Sequence, residues 1–507
     1  MEPPKTNWLT LAPAVAAPAL LLLAGLCPAA VWRNRPGGAA TAARGAAWGA
    51  LALAVVAAVG LPRGGTSGPW FYYDRLSALV QVLVAFLGAV VTAYSHRYLA
   101  GEAGRDRYTR WLGFTCVSAL ALPVAGNLLA FTLVWSAGSF GLHHLLIHYP
   151  ERPGAQLAAR KKFIVSRLGD LCLLGVLWLV HGQFGTWEFA ELLHAPAARP
   201  AIGWLLAVAA LLKCAQFPFH TWLPDTLEAP TPVSALMHAG FINAGGFLVL
   251  RLAPLAAPAP GALLLLAYVG ALSAAFGTLV LAAQPARKRA LAYSTIAQMG
   301  FMLLECGLGL PGMALLHLLA HALYKANAFL RAATLPEPKS LPRPVDPSWS
   351  VTPWLVAGAL FLATARLAGL AAPRTPGEWL AGSLLLLALG RLLAASWSSG
   401  VARPIGAALV LLLAALGCGL QQWVTVFFAD IPGWADLRAV APAGPAAWFL
   451  AIGFPCALLL IESQRQPGAR RNWRRLQIHA RNGWYCHTLA NRSVKALWPV
   501  SPISPQP

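Results

Sequence analysis

The segment LLKCAQFPFHTWLPDTLEAPTPVSALMHAGFINAGGFLVLR, residues 211–251, decides the fold. It is the end of an apolar helix that begins near residue 203 and reaches Lys213, and it then meets Pro218, Pro224, Pro230 and Pro232. Each proline removes a backbone donor and breaks the helical ladder. Inside a bilayer such a break is tolerated only where the irregular backbone is buried in protein or lines a hydrated cavity. The segment therefore predicts a discontinuous membrane helix, with Lys213 just before the break and His238 on the helix that follows. An ionisable side chain in a membrane helix is costly and is by default a functional residue. A desolvated lysine whose charge a neighbour can tune has the properties of a proton-relay station.

The rest of the chain fits a membrane setting. Of its 507 residues 58% are hydrophobic and 11% charged, against about 25% charged in a soluble domain. A span needs about 20 apolar residues. About 15 such segments recur, centred near residues 20, 54, 83, 117, 138, 172, 210, 247, 272, 300, 322, 360, 386, 412 and 454. The run from Trp8 to Trp32 is long enough to be a span rather than a leader peptide.

The net charge of +21 raises the question of nucleic acid. The positions of the basic residues answer it. With the N-terminus outside and spans alternating, loops 33–45, 96–110, 150–162, 285–289, 331–350 and 397–404 share one side with the tail from 463. They hold most of the 38 Lys and Arg residues. The opposite loops carry Glu188, Glu191, Asp430 and Asp436. This is the positive-inside rule; it explains the charge without nucleic acid and puts the tail in the cytoplasm. The eight cysteines are scattered without metal-ligand spacing, and no GxxxxGK[ST] loop marks an ATP-driven pump.

A second cluster lies in MALLHLLAHALYKANAFLR, residues 313–331. His317, His321 and Lys325 are four apart and share one helical face. Two histidines at that spacing also suit a metal, but no HExxH glutamate or third ligand lies nearby, so a hydrated proton wire is the better reading. Lys288 is either an access group or a topology residue. Arg167 and Asp170 pair three apart. Glu305 is either an exit group or an interface residue. Arg366, followed by GLAAPRTPGEW, marks a second, degraded interrupted helix placed somewhat as Lys213 is. Two interrupted helices in corresponding positions are the pattern of inverted-repeat transporters. The expected units are N-terminal helices 1–109, a first repeat 110–257, a degenerate second repeat 258–396, C-terminal helices 397–462 and a basic amphipathic tail 463–507.

The stretch KCAQFPFHTWLPDTLEAPTPVSALMHAG resembles the antiporter-like subunits of respiratory complex I and of multisubunit cation/proton antiporters. So do RKRALAYSTIAQMGFM, LLHLLAHALYKANAFL, KKFIVSRLGDLCLLGVLWLVHGQFGTWEF and YDRLSALVQVLVAFLGAVVTAYSHRYLAGE, so that the resemblance spans residues 70–335. It implies an all-α polytopic protein with two inverted five-helix repeats, discontinuous helices, and a chain of lysines and histidines through the membrane centre. By motif Lys213 is the central lysine, Lys325 the connecting lysine, and His238, His317 and His321 the relay histidines. Lys288 is the basic residue of the family's DIKR segment.

The departures point to a branch. The family's fifth helix reads W-E-G, with a glutamate that pairs with the central lysine; here Ser136 follows Trp135, and Ala286 replaces the DIKR acid. Asp225, Glu228, His143, His144 and His148 are open substitutes. The tail RRNWRRLQIHARNGWYCHTLANRSVKALWP resembles that of DabB-type membrane subunits of DAB inorganic-carbon complexes. That resemblance implies a cation-driven hydration of CO2 to bicarbonate by a partner, DabA, a large cytoplasmic protein similar to zinc β-carbonic anhydrases. Zinc then belongs to the partner, and this chain has no cofactor and no carbon chemistry of its own. The conducted ion is H+ or Na+. Trp473, Trp484, Tyr485 and Trp498 among arginines suit a protein interface, and a basic amphipathic helix also suits anionic lipid. Rival expectations are a proton-translocating subunit of complex I, of a membrane hydrogenase or of an Mrp-type antiporter, and a non-conducting scaffold. The expected location is the bacterial inner membrane, with the N-terminus periplasmic.

Overall fold

Apolar runs separated by short polar breaks fold here as helices, since a chain in lipid must satisfy its backbone groups internally. The computed structural model describes residues 7–26, 38–62, 64–332, 351–369, 373–398, 403–463 and 470–498. Its main helices are α1 (Trp8–Leu26), α2 (Gly38–Val59), α3 (Arg75–Tyr98), α4 (Arg105–Ala121), α5 (Leu128–Leu146) and α6 (Pro153–Phe184). The middle of the chain forms α7 (Pro200–Lys213), α8 (Thr231–Ala239), α9 (Ala244–Arg251), α10 (Pro260–Ala283), α11 (Arg287–Gly307) and α12 (Pro311–Ala332). The C-terminal part forms α13 (Val351–Leu367), α14 (Pro376–Ser398), α15 (Arg403–Phe427), α16 (Pro445–Ser463), α17 (Arg470–Arg481) and α18 (Cys486–Leu497). A two-stranded antiparallel hairpin, β1 (Thr66–Gly68) and β2 (Phe71–Tyr73), precedes α3.

Among the described residues nine helices are long and apolar enough to cross a membrane, and three further apolar helices are shorter. The shorter ones include α7, which the proline-rich stretch stops at Lys213. Helix α12 is long enough, but His317, His321, Lys325 and Arg331 make it less apolar.

The break after Lys213 is built as its residues require. Ala215 has φ +50, a left-handed conformation that ends the helix. The freed backbone finds partners: Phe217 N donates to Ser273 Oγ at 3.0 Å. The chain resumes in a single turn, Trp222–Asp225, before α8. A second interruption separates α8 from α9 at Gly240, where an added Cβ would lie 2.9 Å from the Leu236 carbonyl oxygen. Lys213 and His238 thus each sit beside a discontinuity.

The loop expected at 150–162 is shorter than its composition suggests. Pro153 occupies the first turn of α6, where its missing N–H costs nothing, so Lys161 and Lys162 lie inside a 32-residue helix. Helices α13 and α14 pack side by side around a small core of their own with α15. Arg366, near the end of α13, is exposed rather than buried at a break.

The basic loops at 96–110, 150–162 and 285–289 meet at one end of the bundle. There Tyr98 contacts Thr231 at 3.4 Å, Lys288 donates to the same Thr231 at 2.8 Å, and Arg107 donates to the His148 carbonyl at 3.0 Å. The tail docks at this end: Gln284 donates to the Arg481 carbonyl at 3.1 Å, and Arg160 to that of Trp498 at 2.9 Å.

Candidate cation pathway

Lys213 is the last residue of α7, so its side chain projects where the helix stops. Its Nζ donates to Ser139 Oγ at 3.1 Å and lies 4.0 Å from the centre of the Trp135 ring, a cation–π arrangement. Both partners come from α5. The cavity beside it is lined by Trp135, Ser139, Lys162, Ser166, Lys213 and Phe241. It leaves about 20 Å³ for the centre of a water molecule, enough to hold one.

None of the open substitutes for the missing glutamate pairs with Lys213. Asp225 contacts Lys161 and lies 3.1 Å from His487 Nδ1. Glu228 lies 3.8 Å from Arg152 at the surface. His144 stacks on Trp111 at 3.8 Å, and His148 packs edge-on against Tyr108. Arg167 and Asp170 are 2.6 Å apart on α6.

A second group lies on the other face of α8. His238 is buried, with Nδ1 3.1 Å from Thr295 Oγ1 and its ring stacked on Phe329 at 4.3 Å. His321 Nε2 is 3.2 Å from the His238 carbonyl oxygen. Lys325 is fully buried and donates to the Leu291 carbonyl at 2.9 Å. The line continues to His317, whose ring centre is 6.3 Å from that of His321, and whose Nδ1 is 3.2 Å from Glu305 Oε2. Because Met237 and Phe241 line the Lys213 cavity, α8 stands between the two groups. Lys288 sits at the tail-side end, bonded to Thr231.

Three residues whose role the sequence does not announce belong here. Lys162 is buried, and its ammonium donates to the Ser139 carbonyl. Lys161 is buried too and holds Asp225 and Asn491 of the tail. Ser139 carries no charge to mark it. The one signal for the lysines is Pro153, which moves the start of α6 outward.

The tail does not stand free. Trp484 packs 5.7 Å from the Phe276 ring, and Trp498 receives Arg160 over its ring at 5.0 Å. Trp498 and Tyr485 remain exposed on their outer sides; the side chain of Trp473 lies outside the described residues. His487 is held below the usual histidine range, chiefly by burial; Asp225 opposes the shift, and Lys161 and Arg289 add to it.

Comparison with known proteins agrees with the fold. Residues 125–370 match the family described as NADH:quinone oxidoreductase/Mrp antiporter, TM, and residues 69–109 match the N-terminus of complex I chain 5. The chain is 38% identical over 446 residues to a probable inorganic carbon transporter subunit DabB2 of Halothiobacillus neapolitanus, covering 84% of this chain and 80% of that one. It is 39% identical over 365 residues to a probable inorganic carbon transporter subunit DabB of Hydrogenovibrio crunogenus, covering 68% and 69%. An Mrp complex structure from Dietzia sp. DQ12-45-1b superposes with a TM-score of 0.58 at 24% identity, covering 98% of this chain but only 57% of that one, and so attests the fold. The chain therefore belongs to the NADH:quinone oxidoreductase/Mrp antiporter family, among the DabB-type subunits of inorganic carbon transporters.

Proposed function

We propose that this chain is the membrane subunit of an energy-coupled inorganic-carbon accumulation complex and conducts cations, in the first place protons. The observation that carries the reading is Lys213, held at the end of a broken helix beside a cavity, with a second buried line of Lys325, His321, His238 and His317 across α8. The identity to DabB-type subunits supports the carbon assignment. Carbon chemistry falls to a DabA-like cytoplasmic partner, whose zinc hydrates CO2 to bicarbonate. The repeat unit at 110–257 carries Lys213 and His238, and that at 258–396 carries His317, His321 and Lys325.

The chain lies in a bacterial inner membrane with its N-terminus periplasmic and its tail cytoplasmic. The gathering of the basic loops at 96–110, 150–162 and 285–289 with the tail at one end supports this orientation. Changes of charge on Lys213 and Lys325 shift the broken helix against the bound partner, which couples flux to hydration. Expression together with the partner in a strain that needs elevated CO2 should restore growth in air. Lys213→Ala should lose that growth while the partner still copurifies; normal growth would refute the assignment.

A complex I or Mrp-type role is the second reading, supported by 38% identity over 265 residues to subunit L of the Mycobacterium tuberculosis NADH-quinone oxidoreductase. Copurification of quinone-reductase or antiporter subunits in place of a zinc protein would favour it.

A further inference from the structure

Ser136 stands where the family resemblance implies a carboxylate against the central lysine, and a second lysine, Lys162, lies beside Lys213 from another helix. Lys162 reaches from α6 to the Ser139 carbonyl, while Lys213 reaches from α7 to the Ser139 hydroxyl at 3.1 Å. Two lysine side-chain nitrogens therefore converge on two oxygens of one residue. Both line the same small cavity, with Ser166 beside them. The other charged groups nearby are Arg167 and Asp170, which are paired with each other at 2.6 Å. Among the described residues neither Lys162 nor Lys213 has a carboxylate within 4 Å.

Two like charges this close in a water-poor interior repel strongly. Sites coupled in this way take up protons as a pair rather than as independent residues. A lysine–carboxylate pair passes a proton by trading one charge against the opposite one. A lysine–lysine pair reaches the same end with one excess proton between two amines.

We propose that Lys162 and Lys213 form a two-lysine relay that holds a single excess proton over Ser139, in place of the lysine–carboxylate pair. This rests on the cation-path reading above and names the group that completes it. In the transfer step the Lys162 ammonium loses a proton and becomes a neutral amine, and the neutral amine of Lys213 gains one. The Ser139 hydroxyl, or a water in the cavity, accepts one proton as it gives up another, so charge and atoms balance. Lys161, the adjacent residue, faces Asp225 and the tail.

The test uses the full chain with its copurified partner in proteoliposomes, with proton flux read by an internal pH dye under an imposed potential. Lys162→Met removes the second amine and should lose flux to the level of Lys213→Ala. Lys162→Arg keeps the charge but holds its proton permanently, and should lose flux as well. Lys162→Glu recreates a lysine–carboxylate pair and should recover flux lost in Lys162→Met, which a merely structural lysine would not permit. Wild-type flux in Lys162→Met, with Lys213→Ala inactive, would overturn the relay and leave the path standing. Equal loss in all three Lys162 variants with the complex intact would overturn it too. Wild-type flux in Lys213→Ala would instead overturn the path itself.

Discussion

Arg251, the last residue of α9, grips Asp74 through both terminal nitrogens, at 2.7 and 2.8 Å, although the two are 177 positions apart in the chain. Asp74 also caps α3 by accepting from Ser77 N at 2.8 Å, and Arg251 donates to Ser77 Oγ at 2.7 Å. One carboxylate thus fixes the start of α3 to the end of α9, the helix that continues from the His238 segment. Removing one partner of a buried ion pair strands the other, at a cost of about 3–5 kcal/mol. Asp74→Ala should therefore lower the melting temperature of the purified protein sharply, and Arg251→Met should do the same; a melting temperature unchanged in both would show that the pair does not hold these helices together.

Helices α10 and α11 approach at glycines. A Cβ on Gly300 would lie 2.8 Å from Ala274 N and press on the Gly270 carbonyl. Small residues let membrane helices pack backbone to backbone, and overfilling such a contact costs about 1–3 kcal/mol. Gly300→Leu should lower thermal stability by that order, whereas Gly45→Ala, which meets nothing within 4 Å, should not.

Tail docking should depend on pH through His487. Its contact with Asp225 keeps it buried, and burial with Lys161 and Arg289 lowers its proton affinity when docked. An undocked histidine protonates near its ordinary value of about 6.5. The released state then binds more protons, so docking is fully present above that pH and weakens as pH falls below it. Spin labels at Ala155→Cys and Leu497→Cys, on a cysteine-free background, should report a broader distance distribution in acid than at about pH 8. His487→Gln should remove that dependence.

Much of this arrangement is legible in the amino-acid sequence. The proline cluster and the charge deficit are local signals, so the membrane class, the break after Lys213 and the His317–His321–Lys325 stripe can be read directly. Lys162 cannot. An Arg-Lys-Lys triplet near a helix start reads as topology, and whether such a lysine turns inward depends on which face α5 covers. Ser139 is silent because a serine on an apolar helix has many uses. By composition the inner face of the tail suits a partner, yet it meets Phe276, Lys161 and Asp225, residues that lie hundreds of positions earlier in the chain. Arg366 misleads because glycine and proline after a helix signal a break and a turn equally well.

The second buried group should matter as much as the first. Lys325→Met removes the fully buried amine at the end of the His317–His321 stripe. Flux should fall by about a hundredfold, the scale expected when one proton-transferring group is lost. Arg366→Ala, exposed on α13, should leave flux unchanged. Equal flux in the two variants would remove α12 from the path.

On the proposed reading, cations cross this protein by way of Lys213. Proton flux through the reconstituted wild-type complex and its Lys213→Ala variant, at equal protein content and with the partner still bound, tests it most directly. Flux should collapse in the variant; flux equal to wild type would remove Lys213 from the path.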